Sequence, residues 1–126
     1  MRSEAGSAPA GHSGTVGRMS ETNPEYRVVL CTAGSDAQAR EIARQLVERR
    51  LAACVNVVPS VCSTYRWKGE VVEDGESLMI VKTEKRHVEA LRVAVRELHS
   101  YDTPEVIALK IDDGDPDYLA WLSGNL

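Results

Sequence analysis

Along this chain, apolar and polar residues first alternate, then recur every three or four positions, then alternate again, and the change of period sketches an architecture. Tyr26-Arg27-Val28-Val29-Leu30-Cys31-Thr32 is rich in β-prone side chains and closes on Ala33-Gly34, which predicts a first strand. Ser35 stands three residues before Gln38, the spacing of a capping box, and Ala39, Ile42, Ala43, Leu46 and Val47 then recur at helical spacing. They predict an amphipathic helix over residues 36–50, with Arg40, Glu41, Arg44, Glu48 and Arg49 on its polar face.

Residues 53–67 are β-prone except at Pro59, which has no N–H for a ladder and predicts a long strand interrupted by an edge, bend or bulge. Lys68-Gly69 suits a tight hairpin turn. The chain then returns through residues 70–73, and Asp74-Gly75 predicts a second break before a buried strand, Leu78-Met79-Ile80-Val81. A helix is expected from about Thr83, striped by Val88, Leu91, Val95 and Leu98. After a turn at residues 101–104, Ile107, Leu109 and Ile111 alternate with Val106, Ala108 and Lys110 in a last long strand with one strongly apolar face. Asp115 as N-cap and Pro116 at the first helical position open a short terminal helix through Trp121.

The order is therefore α+β, a ferredoxin-like β-α-β-β-α-β sandwich with an extra hairpin segment and a short C-terminal helix. The two main helices are expected on one face of an antiparallel sheet. The other face carries apolar residues too, and covering it predicts self-association. Residues 1–24 are rich in Gly, Ser, Ala and Pro and read as a disordered tail, which leaves 25–126 as one domain.

Composition narrows the function classes. A net charge of −4 offers no basic field for phosphate backbones, so nucleic acid is not an expected partner. No apolar run approaches the roughly 20 residues that span a bilayer, so no membrane is expected either. Cys31, Cys54 and Cys62 are an odd set without CxxC spacing, which disfavours a disulfide framework or zinc ribbon and fits a reducing, cytoplasmic setting. With no Phe in the chain, the core falls to Val, Leu, Ile and Ala. No P-loop, GxSxG, HExxH or GxGxxG occurs, and the chain reads as a non-enzyme without an organic cofactor.

Six segments converge on one family: Cys31-Thr32-Ala33, Leu51-Ala52-Ala53-Cys54-Val55-Asn56, Ser63-Thr64-Tyr65-Arg66-Trp67-Lys68-Gly69, Met79-Ile80-Val81-Lys82-Thr83, His99-Ser100-Tyr101-Asp102-Thr103-Pro104-Glu105, and Asp117-Tyr118-Leu119-Ala120-Trp121-Leu122. In order and spacing they resemble the CutA family of divalent-cation tolerance proteins over residues 26–124. The resemblance implies a homotrimer like that of the PII signalling proteins, with sheets facing inward and clefts between subunits. It also implies a role in tolerance of copper or another divalent cation. Where the family often has Pro after the histidine, frequently with a second histidine before it, this chain reads Leu98-His99-Ser100.

Cys31 and His99 are the candidate metal ligands. By the resemblance, Cys31 matches a cysteine associated with copper, and its thiolate would suit Cu(I); its other reading is a small buried strand residue, which is what a free cysteine most often is. The His99 imidazole would suit copper or zinc, or would complement a helix C-terminus. Lys82, Tyr101, Glu105 and Trp67 are candidates for a cleft, with structural packing and turn-anchoring as their other reading. Asp112, Asp113, Asp115 and Asp117 do not match an EF-hand loop, and two of them fit helix initiation. The competing functional class is a PII-like binding module that takes a small anionic ligand or a protein partner at the intersubunit clefts.

Overall fold

The structure is a computed structural model and describes residues 23–126. Of the tail expected over 1–24, residues 1–22 lie outside the described residues. The elements follow as β1 (Tyr26–Ala33), α1 (Asp36–Glu48), β2 (Cys54–Trp67), β3 (Glu70–Glu84), a 3-10 turn (Lys85–His87), α2 (Val88–Leu98), β4 (Ile107–Lys110) and α3 (Pro116–Gly124). The β-α-β-β-α-β order is realised in one four-stranded sheet, β2-β3-β1-β4, whose neighbours are all antiparallel.

Val29, Cys31 and Ala33 of β1 and Met79 and Val81 of β3 alternate along their strands and therefore share one face. They form a single cluster with Ala39, Ile42 and Leu46 of α1 and Leu91, Ala94 and Val95 of α2. Both helices thus cover the same side of the sheet, as their stripes require. Ser35 caps α1 by accepting from the Gln38 amide at 3.1 Å. The helix closes at Arg50, which adopts a left-handed φ of 59°.

The opposite face carries Val28, Leu30, Leu78 and Ile80, all half-buried, with Val58, Ile107 and Leu109 exposed. α3 covers one end of this face. Its N-cap Asp115 accepts from the Tyr118 amide at 3.0 Å, and Leu122 is fully buried. The Tyr26 hydroxyl donates to Ser123 Oγ (2.9 Å), which donates to Glu84 Oε2 (2.5 Å). The buried Glu84 carboxylate also accepts from Arg86 Nε at 2.5 Å, so α3 is tied to the paired ends of β1 and β3.

Three expectations need correction. Asp74-Gly75 breaks nothing: β3 runs unbroken from Glu70 to Glu84 because Cys62 and Ser63 pair with Gly75 and Asp74. The extra hairpin segment is therefore the outer half of one long β2–β3 hairpin. Thr83 belongs to β3, opposite Arg27, and its hydroxyl donates to the Leu51 carbonyl at 2.7 Å, so α2 starts only at Val88. The last strand has four residues, and its apolar members Ile107 and Leu109 lie on the face away from α1 and α2, each 50% exposed. The interruption at Pro59 is a bulge between Val58 and Val61, with Ser60 at φ 63°. The turn at Lys68 and Gly69 is tight, with φ 50° and 84°.

Candidate functional site

At the end of β1 the structure brings Cys31 and His99 together on one carbonyl. His99 closes α2 with extended backbone, its amide bonded to the Val95 carbonyl at 2.9 Å. The buried ring then reaches across to β1, and its Nε2 lies 2.6 Å from the Thr32 carbonyl. A carbonyl only accepts, so Nε2 carries the proton. Nδ1 accepts from the Tyr101 amide at 3.0 Å. Both ring nitrogens are therefore engaged, and the ring packs on Tyr101 with centroids 4.5 Å apart.

The Cys31 thiol, 1% exposed, also points to the Thr32 carbonyl, at 3.8 Å. Burial, reinforced by the charges of Glu105 and Glu76, pushes its pKa up to about 12. It is a protonated thiol at neutral pH. A metal-binding pair needs a thiolate and a nitrogen lone pair; a nucleophile–base pair needs the imidazole to accept from the thiol. Here both groups donate into the same oxygen. The pair as folded does not fit a resident metal ion, and among the described residues no three His, Cys, Asp or Glu side chains group to hold one.

Around this buried pair lies an acidic and phenolic rim. The Tyr101 hydroxyl donates to Glu76 Oε2 at 2.9 Å, and burial together with that carboxylate pushes its pKa up to about 12. Tyr65 donates to Asp74, which likewise raises its pKa. A Cβ at Gly34, just past β1, would meet the Tyr101 oxygen at 3.1 Å, so a side chain there would press the ring back by a few tenths of an ångström. The exposed Glu105 contributes its charge near Cys31.

The other cleft candidates lie elsewhere. Lys82 sits opposite Val28 and Cys54, about 20 Å along β1 from Gly34 at ~3.3 Å per residue. Its ammonium donates to Asn56 Oδ1 and lies 3.9 Å from Cys54 Sγ. Trp67 stands at the hairpin tip, 58% exposed, with Lys68 Nζ 5.8 Å from its ring centroid. Tyr65 and Trp67 share a sheet face, as their parity predicts, through their pairing with Val72 and Glu70. Within one chain, then, Tyr101 and Glu105 join Cys31 and His99, whereas Lys82 and Trp67 stand apart. Thr32, Asp74, Glu76 and Asn56 are participants that sequence reasoning missed; strand parity was the available signal for the three side chains, whereas Thr32 takes part through its backbone carbonyl.

These features define a small α+β protein: a four-stranded antiparallel sheet, two helices on one face, and a terminal helix clamped across part of the other. Among the described residues no helix is long and apolar enough to cross a membrane. Comparison with known proteins carries the assignment further. The family model described as CutA1 divalent ion tolerance protein matches residues 27–125, and the chain belongs to that family. It is 53% identical over 98 residues to the divalent-cation tolerance protein CutA of Thermus thermophilus, covering 78% of this chain and 95% of that protein. It is 50% identical over 91 residues to Protein CutA of Mus musculus, covering 72% of this chain and 51% of the mouse protein. Among solved structures, the Thermus thermophilus Cut A1 protein superposes with a TM-score of 0.78 at 52% identity, over 79% of this chain and 97% of that one. An Archaeoglobus fulgidus CutA, described as a periplasmic divalent cation tolerance protein, gives 0.77 at 36% identity over 79% and 97% of the two chains.

Proposed function

We infer that this chain acts in tolerance of divalent metal ions as a cytoplasmic homotrimer with the inward-facing sheets of a PII-like assembly, and that it is not an enzyme. Copper or a related cation is its cargo rather than a resident cofactor. The observation that carries this is the family match along nearly the whole described domain. Two features support the assembly. One sheet face exposes Val58, Ile107 and Leu109, and the 14-residue β2 leaves an outer edge that a second copy can pair. Three free cysteines support a reducing compartment.

The test is copper and zinc sensitivity of cells that lack their own copy of the protein, with and without this chain, alongside light scattering of the pure protein. Restored tolerance and about three subunits per particle are expected. Tolerance unchanged by the chain would overturn the metal reading, and a well-folded monomer would overturn the trimer.

A further inference from the structure

The chain has two Asp-Gly steps, Asp74-Gly75 and Asp113-Gly114, and the fold treats them in opposite ways. At such a step a side-chain carboxyl reaches the following backbone amide with the least hindrance, because glycine has no Cβ and turns freely. Asp74-Gly75 lies inside β3, where Ser63 and Cys62 pair with it and the Asp74 carboxylate accepts from Tyr65. Asp113-Gly114 lies in the link between β4 and α3, and residues 112–114 are all exposed.

Within this link the Asp113 carboxylate is folded over the next residue. The Gly114 amide donates to Asp113 Oδ1 at 2.8 Å, which holds the carboxyl carbon beside the glycine nitrogen. The link is short and pinned at both ends: the Ile111 amide donates to the Tyr26 carbonyl at 3.1 Å, and Asp115 caps α3 by accepting from the Tyr118 amide at 3.0 Å. Between the pins, a Cβ on Gly114 would meet Leu119 side-chain atoms at 3.3 Å, so α3 packs closely on the link. The link follows β4, the edge strand opposite β2, and lies at the start of β1 rather than at the end that carries Cys31. It therefore stands outside both the β2 edge and the metal candidates.

The geometry points to Asp113 as a self-modification site, where backbone isomerisation in the folded protein loosens α3. The Gly114 nitrogen bonds to Asp113 Cγ; its proton and the carboxyl hydroxyl leave as water, and a cyclic imide closes. Water then adds to the Asp113 main-chain carbonyl and breaks that carbonyl's bond to the Gly114 nitrogen. The main chain now runs through Cγ, one carbon longer, with a free carboxylate on Cα. Addition of water at Cγ instead restores aspartate. A link of residues 112–114 between two pinned ends has little slack for the extra carbon, so the Asp115 cap and the first turn of α3 give way. Metal handling at the end of β1 is not involved, and the two readings stand or fall separately.

The test ages the full chain, folded and as assembled, at mildly acidic pH below its unfolding temperature, beside Asp113→Glu, whose longer side chain cannot close the same ring. Light scattering follows the particle. Protein isoaspartyl methyltransferase with labelled S-adenosylmethionine then marks the isomerised carboxylates, and peptide mapping locates them. Label at Asp113 is expected to exceed label at Asp74 by at least about tenfold, the effect of only about 1.4 kcal/mol of ladder opening at Asp74. In urea the two steps should isomerise at similar rates. Aged wild type should show faster amide exchange in α3 with β1 and β3 unchanged, and aged Asp113→Glu should show neither label at position 113 nor faster exchange. Equal label at Asp74 and Asp113 in the folded protein would overturn the site, as would label at Asp113 less than about a tenth of that reached in urea. Exchange in α3 that stays slow after Asp113 is labelled, or that quickens equally in Asp113→Glu, would overturn the link to α3.

Discussion

Replacing His99 by alanine removes two hydrogen bonds whose partners differ in cost. The Thr32 carbonyl, on a residue only 8% exposed, loses its strong donor and keeps only the weak Cys31 thiol. An acceptor left buried in this way costs about 1–3 kcal/mol, and the Tyr101 amide adds about 0.5–1.5. His99→Ala should therefore destabilise by about 2–4 kcal/mol. Two conservative variants separate the terms. Glutamine places an amide donor near the Nε2 position and should recover most of the Thr32 bond, leaving a loss of about 1 kcal/mol. Asparagine offers an acceptor to Tyr101 but abandons Thr32, and should fall near the alanine value. The assay is the urea midpoint at fixed protomer concentration, because oligomer stability depends on concentration, run with and without a chelator. Equal midpoints for all three variants would refute the hydrogen-bond account. A deficit that appears only with copper, and vanishes with chelator, would show instead that His99 is a metal ligand.

Cys31 should be the last cysteine alkylated by iodoacetamide at about pH 8, after the exposed Cys62 and half-buried Cys54, because burial holds its pKa at about 12; mass spectrometry showing Cys31 labelled as fast as Cys62 would contradict this. His87 has a buried Nε2 with no partner, and burial followed by the Arg86 charge lowers its pKa below the ordinary 6.5, against the opposing pull of Glu84. The unfolded chain then binds the proton more readily, so this contribution is complete above pH 6.5 and is lost as pH falls through that value toward the lower folded pKa. His87→Leu should flatten the fall in urea midpoint between about pH 7.5 and about pH 5.5, and an unchanged slope would count against it. Ser123→Ala removes the hydroxyl between Tyr26 and the buried Glu84 carboxylate and should cost about 1–3 kcal/mol, with amide exchange accelerated first in α3; uniform acceleration over the domain would show that the tie is not local.

How far the sequence could be read depends on how local each signal is. The Ser35 cap, the stripes of α1 and α2 and the Lys68-Gly69 turn are set by neighbours within a few residues, and all were legible. Asp74-Gly75 reads as a turn by composition, but its backbone groups are claimed by Cys62 and Ser63, eleven or more positions away, and long-range pairing overrode the local preference. Thr83 was misplaced for the same reason, its strand partner Arg27 lying on β1. At the candidate site, the meeting of Cys31 with His99 was anticipated as a pair of separate element ends. That both would donate to one carbonyl depends on backbone positions that side-chain identity does not encode. Glu76 was overlooked because it sits in a charged run that looks solvated until Tyr101 is folded against it.

The bulge in β2 has a consequence for how the chain tolerates changes of length. Three steps along β2, from Val58 to Val61, match two along β3, from Leu78 to Glu76. Loss of the single residue Ser60 would therefore convert the bulge into a regular ladder with every side chain beyond it still on its present side. The same deletion between Val61 and Trp67 would instead turn the rest of the strand over, aiming Tyr65 away from Asp74, unless the bulge released its spare residue to compensate. One irregular position thus acts as a reserve of chain length, through which variation in the hairpin can pass without inverting the faces on either side of it.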